Sequence, residues 1–327
     1  MRRRAKGKGS RYNPGTRSTR LEYEKRVNRV IDHVRARLGE PLSLAEASRM
    51  AAFSPFHFHR IFSALTGETL FAYVQRQRIE KAAGVLAAGL RPSILEVALD
   101  HGFASAATFA RAFRARFGMS ASEWRHGGAE RRRRQGARTA NPRFRKPGKA
   151  GAMRSRHTSS HTRKEDTMSV AVRTLPAYHV AYMRYVGPYG DRGIPELWRR
   201  LRQWMGTRGL DSATTLRLGI GYDDAAITDP AKCSYDACAV VAADFAADRW
   251  VSLRDVPAGR FAVASFRGTA ATIEAAWEQL FARWLPDSGY QPDDRAGLEL
   301  YRGAPDAASR RGRGAFRCEL CLPVRVL

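Results

Sequence analysis

A chain of 327 residues has room for two domains with separate cores, and its formal charge of +26 is unevenly placed. Residues 168–327 hold 21 Lys+Arg against 18 Asp+Glu, whereas residues 1–167 hold 36 against 13, which points to a polyanion-binding half joined to a near-neutral one. No run approaches the roughly 18 apolar residues of a membrane span, no signal peptide is legible, and the four cysteines all fall in the C-terminal half; the expected setting is cytoplasmic and nucleoid-associated, without disulfides.

Met1 to Arg20 carries eight basic and no acidic residues, contains Gly and Pro, and lacks apolar periodicity, so residues 1–20 read as a disordered basic arm. Val27, Val30, Ile31, Val34 and Leu38 then share one helical face, closed by Gly39 and Pro41. Helical patterning continues to about Trp124. Residues 127–167 break it with four consecutive arginines (Arg131 to Arg134), Asn141-Pro142 and Pro147-Gly148. With 13 basic residues, three acidic ones and little apolar surface, this stretch reads as a flexible linker. From Ser169 the pattern becomes strand-like alternation with short helices.

Two internal repeats organise the chain. Ser43-Leu44-Ala45-Glu46-Ala47 resembles Ser93-Ile94-Leu95-Glu96-Val97 at an offset of 50, and Phe58, Arg60, Phe62 and Gly67 recur as Phe109, Arg111, Phe113 and Gly118 at 51. In the C-terminal half Arg173-Thr174-Leu175-Pro176-Ala177 recurs as Arg254-Asp255-Val256-Pro257-Ala258 at an offset of 81. Each of those copies reads as strand then helix, with helices near 192–206 and 270–284.

In the first helical repeat, Leu44, Ala47, Met50 and Ala51 give a short helix one apolar face. After a turn at Ala52-Phe53-Ser54, Pro55 opens a second helix that runs to about Leu65 and buries Phe58, Ile61, Phe62 and Leu65. Its other face presents Phe56, His57, His59 and Arg60, a mixture of cation, imidazole and ring suited to phosphates, guanine and thymine methyls. The plainer reading of that face is a solvated helix surface. Two such units joined by a helix over roughly Leu70 to Ala88 could enter successive major grooves about 34 Å apart.

The pattern Leu44-Ala45-Glu46-Ala47, Phe53-Ser54-Pro55-Phe56-His57-Phe58-His59-Arg60-Ile61-Phe62, with Ile94-Leu95-Glu96-Val97-Ala98, Gly102-Phe103-Ala104-Ser105 and Phe109 to Gly118, resembles the AraC/XylS family of transcriptional regulators over residues 24–126. The resemblance implies base reading by Phe56, His59 and Arg60 and a backbone contact by His57. In the second unit it points to Ala106, Ala107 and Arg111. The two alanines depart from the polar residues common there and offer methyl contact alone, so this unit is expected to grip phosphate through Arg111, Arg114 and Arg116.

In the C-terminal half, Gly297-Leu298-Glu299-Leu300-Tyr301 alternates as a strand, which puts Glu299 and Tyr301 on one face. A carboxylate beside aromatic faces suits a lipophilic cation; composition alone favours an exposed strand acid. Val180 to Tyr189, Gly221-Tyr222-Asp223-Asp224, Cys233 to Cys238, Leu253 to Gly259, Trp284 to Tyr290, Leu298 to Tyr301 and Cys321 to Val324 resemble a GyrI-like, SHS2-repeat effector-binding domain. In that family the glutamate of the Glu-x-Tyr strand contacts small ligands, which implies Glu299 and Tyr301 as ligand residues, with Tyr182, Tyr185 and Tyr222 as further candidates. Cys318-x2-Cys321 has zinc-like spacing, but residues three apart on a strand face opposite sides, so no metal and no cofactor are expected.

The expected architecture is therefore two domains: an all-α double helix-turn-helix unit (21–126), a basic flexible linker (127–167) and an α+β domain of two strand-helix-strand repeats (168–327). The expected function is ligand-controlled, sequence-specific transcription regulation, not catalysis. The partners are double-stranded DNA, a small hydrophobic or cationic effector and RNA polymerase, with no membrane. The alternatives are a C-terminal hydrolase of small xenobiotics, which turnover would reveal, or a protein-binding module, which pull-down would reveal. A disordered linker allows coupling only through effective concentration or a ligand-dependent contact.

Overall fold

The computed structural model describes residues 14–88, 92–140, 168–293, 295–303 and 314–326. Residues 1–13 of the expected arm and 141–167 of the expected linker lie outside the described residues. Helix α1, Pro14–Ala36, takes up the last residues of the arm and buries Val27, Val30, Ile31 and Val34. Helices α2, Leu44–Met50, and α5, Ile94–Asp100, are the repeated short helices. Each starts on a capping box, Ser43 with Glu46 and Ser93 with Glu96. Hydrogen bonds from these serines hold both glutamate carboxyls below their usual range.

Helices α3, Pro55–Thr66, and α6, Ala106–Phe117, follow them. Each starts on a serine cap, Ser54 or Ser105, and ends on a left-handed glycine, Gly67 or Gly118. The turn before α6 uses Gly102 at φ 74°, while the equivalent Ala52 is held at φ 52°, a conformation that costs a Cβ-bearing residue about 1–2 kcal/mol. Helix α4, Leu70–Ala87, lies between the repeats, as its spacing predicts.

By contact the chain divides into two compact units, one comprising residues up to Gln77 with Ala246–Ser252, the other Arg78–Phe245 with Leu253–Leu327. The first unit packs α1 and α2 on Phe58, Phe62, Leu70 and Tyr73. Its Arg76–Glu68 pair, at 2.7 Å, is largely buried, and Lys25 Nζ donates to the Asp248 carbonyl at 2.6 Å.

The second unit holds α5, α6 and the end of α4 around Phe103, Phe109, Phe113, Phe117 and Trp124. A short helical turn, Ala121–Glu123 (α7), and a wide turn over Trp124–Gly128 lead into α8, Ala129–Ala140, inside the stretch whose composition favours a linker. Local pairing explains this helix. Glu130 meets Arg134 at 2.8 Å and Arg133 at 3.6 Å, and the Arg132 guanidinium lies 5.5 Å from the centre of the Phe117 ring.

The same unit contains an antiparallel sheet of nine strands among the described residues: β1 Val170–Leu175, β2 Tyr178–Val186, β3 Arg217–Gly221, β4 Ser234–Val240, β5 Ser252–Val256, β6 Gly259–Gly268, β7 Tyr290–Pro292, β8 Gly297–Tyr301 and β9 Phe316–Val326. Their order is β1-β6-β9-β8-β3-β4-β2-β5, with β7 on β9. The offset-81 repeats exchange strands, since β1 pairs with β6 and β5 with β2. The β3–β8 pair therefore sits at the centre of a pseudo-two-fold arrangement. Helices α9, Gly193–Thr207, and α10, Ile273–Gln279, are the helices of the two repeats.

Two phenylalanines of α3 separate packing from surface. Phe62 is fully buried, whereas Phe56 is 66% exposed. Phe62→Ala should cost about 3–5 kcal/mol and Phe56→Ala less than about 0.5 kcal/mol, measured by urea unfolding; equal losses would contradict this packing.

Candidate nucleic-acid interface and carboxylate site

Residues of α3 that are not in its core face water together: Phe56, His57, His59 and Arg60 are all exposed. The helix start fixes their aim. The His57 amide donates to the Ser54 hydroxyl, and His57 Nδ1 lies 2.9 Å from the same oxygen. The Arg60 guanidinium sits 5.6 Å from the centre of the Phe56 ring, so cation and ring form one patch.

On α6 the exposed face carries Ala106, Ala107, Ala110, Arg111 and Arg114. Arg116 does not join them. Its guanidinium donates to Glu80 Oε1 from Nη2 at 2.7 Å, on a carboxylate only 5% exposed. Periodicity could not reveal this, because the partner lies on α4, 36 residues away.

In the sheet, Tyr235 OH and Tyr301 OH donate to Glu299 Oε2 at 2.6 and 2.8 Å, and Trp198 Nε1 donates to Tyr235 OH at 3.2 Å. The Trp198 and Tyr301 rings meet edge-on at 5.0 Å. Burial among these rings raises the Glu299 pKa above the usual carboxylate value, against the opposing pull of hydrogen bonds from Tyr235, Tyr301 and Trp277. Burial likewise pushes the Tyr235 and Tyr301 hydroxyls well up, which keeps them as donors.

Glu299 and Tyr301 share a face, as the strand alternation predicts. Tyr185 is on that face too, since it pairs in register with Tyr235. Its hydroxyl, however, donates to Asp191 at 2.6 Å, and burial and that contact push it up to about 12. Tyr182 and Tyr222 lie on the opposite face, in the core with Leu218, Ile220 and Leu300. Tyr222 donates to Asp236 at 2.6 Å, and the fully buried Asp236 accepts two bonds from Arg184 at 2.7 Å. Arg184 also stacks on both tyrosine rings. The structure therefore brings Glu299 and Tyr301 together but not Tyr182 or Tyr222 with them.

Sequence reasoning passed over Tyr235, Trp198 and Trp277. One signal could have found the site: Gly219 and Gly221 alternate with Leu218 and Ile220, leaving one strand face without side chains. Gly219 is the cross-strand partner of Glu299. A Cβ there would fall 1.9 Å from Tyr235 OH and 2.5 Å from Glu299 Oε2.

Cys318 and Cys321 pack into different cores, and burial pushes the Cys321 thiol up to about 12. Among the described residues no group of His, Cys, Asp and Glu could hold a metal ion, and no helix is long and apolar enough to cross a membrane.

Gly219→Ala should separate Tyr235 from Glu299 without touching the opposite core. The expected result is an altered tyrosine near-ultraviolet circular dichroism signal with a single cooperative unfolding transition retained. An unchanged spectrum would contradict the close packing described.

Residues 168–325 match the GyrI-like small molecule binding domain family, and residues 47–127 match a helix-turn-helix domain family. The chain is 30% identical over 115 residues to the SPbeta prophage-derived putative transcriptional regulator YosT of Bacillus subtilis, an alignment covering 35% of this chain and 76% of that protein. It is 38% identical over 93 residues to the transcriptional regulator Rob of Salmonella typhimurium, covering 27% of this chain and 32% of Rob. It is 29% identical over 106 residues to the regulatory protein SoxS of Escherichia coli, covering 32% of this chain and 98% of SoxS. With its repeated helix-turn-helix units and its two-repeat sheet domain, the chain belongs to the AraC-type DNA-binding transcriptional regulators that carry a GyrI-like small-molecule-binding domain.

Proposed function

We propose that the small molecule is a lipophilic cation held at Glu299, and that α3 supplies most of the base reading. The observation that carries the ligand reading is a half-buried carboxylate ringed by Tyr235, Tyr301, Trp198 and Trp277. Aromatic faces attract a cation, and a carboxylate out of water gains more from pairing than one in water. Phe56, His59 and Arg60 read base edges, His57 contacts the backbone, and Arg111 with Arg114 grips phosphate. RNA polymerase is the further partner, and the protein works in the cytoplasm on the nucleoid.

Glu299→Gln removes the charge and keeps the shape. Calorimetry should show tetraphenylphosphonium affinity falling about ten- to a hundredfold, the loss of roughly 1.5–3 kcal/mol expected for a charge-assisted contact. Affinity for the neutral triphenylphosphine oxide should change by less than threefold. Equal losses for both, or none, would remove Glu299 from the ligand site.

On the DNA side, Arg60→Ala should lose about 1–3 kcal/mol and relax preference at one base position of duplexes selected from a random pool. Arg114→Ala should weaken all sequences alike and lower the salt slope by about one. Full discrimination retained by Arg60→Ala would take the base contact away from α3.

A further inference from the structure

The connection between β3 and β4 carries a feature that neither a ligand site nor a DNA reader requires. Ile227, only 4% exposed, belongs to the core of the second helix-turn-helix unit with Ile79, Val97, Phe113 and Trp124. Next to it, Thr228 Oγ1 donates to Glu80 Oε2 at 3.0 Å. The same carboxylate receives Arg116 of α6, and Arg116 Nη2 also donates to the Ile227 carbonyl at 3.4 Å. Asp224 faces Arg133 of α8 at 3.6 Å. An apolar side chain, a hydroxyl and a carboxylate from one loop thus engage α4, α6 and α8.

The loop is stiff and tied to the carboxylate site. Asp224 O accepts the Ile227 and Thr228 amides at 2.9 and 2.7 Å, and Asp224 Oδ1 accepts the Ala226 amide at 2.8 Å. At its root, Asp223 Oδ2 accepts the Ser234 amide at 2.8 Å. The Tyr189 hydroxyl donates to the Ser234 carbonyl and accepts the Asp223 amide, at 2.9 and 3.0 Å. Ser234 precedes Tyr235, whose ring also meets Tyr189 edge-on at 6.4 Å, and Tyr235 OH holds Glu299. Glu299 and the recognition helix α6 are therefore joined by one unbroken run of packed and hydrogen-bonded groups.

We propose that residues 223–228 form a docking latch through which occupancy of the Glu299 site is transmitted to the second helix-turn-helix unit. A cation that takes over Glu299 competes with the Tyr235 hydroxyl for it. Tyr235 shifts, its neighbour Ser234 draws on Asp223, and the grip of Ile227 and Thr228 on α4 and α6 loosens. This inference rests on the ligand reading of Glu299.

The test is hydrogen exchange by mass spectrometry on the full chain, with and without saturating tetraphenylphosphonium, and calorimetry of the same probe. In the parent protein the probe should slow exchange in β8 and β4 and speed it severalfold in residues 223–228 and in α6. Ile227→Ala, and Thr228→Val as a second variant of similar volume should the first not fold, should bind the probe severalfold more tightly than the parent, because the latch no longer has to be loosened, while the response of α6 disappears. Tyr235→Phe without any probe should reproduce the faster exchange of α6. Failure of the probe to bind would defeat the ligand reading alone, because the Tyr235→Phe arm still decides the latch. An α6 response that survives in both loop variants, or Tyr235→Phe exchange in α6 equal to the parent, overturns the latch.

Discussion

Two tyrosine hydroxyls converge on one oxygen of a half-buried carboxylate that the surrounding rings shield in part from water. Much of the second compact unit can be understood as what that arrangement demands. A carboxylate in such surroundings is costly unless its lone pairs are used, and tyrosine supplies donors without adding charge. The arrangement needs strand backbone with no side chain beside it, which Gly219 provides from the cross-strand position. It also needs a roof of rings, and α9 contributes Trp198 while α10 contributes Trp277.

The pseudo-two-fold exchange of strands explains why the site lies where it does. Pairing β1 with β6 and β5 with β2 leaves β3 and β8 as the central seam, so the one acidic residue of β8 faces a strand from the other repeat. On the reverse side of the sheet, Asp236 of β4 closes a second polar network with Arg184 of β2 and Tyr222, against the apolar core. The two networks differ in charge balance. Asp236 has its arginine within the chain, whereas the donors on Glu299 are neutral, which suits it to a partner that brings a positive charge.

The exposed and buried faces of the two helix-turn-helix units were legible almost to the residue, because helix caps, glycine ends and a 3.6-residue apolar stripe are local signals. Phe58 and Phe62 face inward and Phe56, His57, His59 and Arg60 outward, as spacing alone predicts. Glu299 and Tyr301 were legible for a similar reason, since two-residue alternation fixes a strand face. What spacing cannot give is which strand lies next to which. Tyr182 and Tyr222 resemble Tyr235 in type, and only register puts them on the other side. Long-range partners escaped for the same reason: Arg116 reads as a phosphate contact until Glu80 is placed beside it. Arg131 to Arg134 read as a linker until Glu130, Phe117 and Asp224 give them a helix to belong to.

We propose that Glu299 is a half-buried acid whose charge a ligand cation stabilises. A carboxyl whose folded pKa is raised makes the chain lose stability as pH rises from the ordinary carboxylate range through the raised value. A bound cation reverses that loss by favouring the ionised form. The direct measurement is a carbon-13 titration of the glutamate side-chain carboxyls of the full chain, with Glu299→Gln to identify the resonance. On this reading the Glu299 midpoint lies above the ordinary value of 4.5 in the free protein and moves down when tetraphenylphosphonium saturates the site. A midpoint at or below the ordinary value in the free protein, or one that the cation leaves in place, would contradict it.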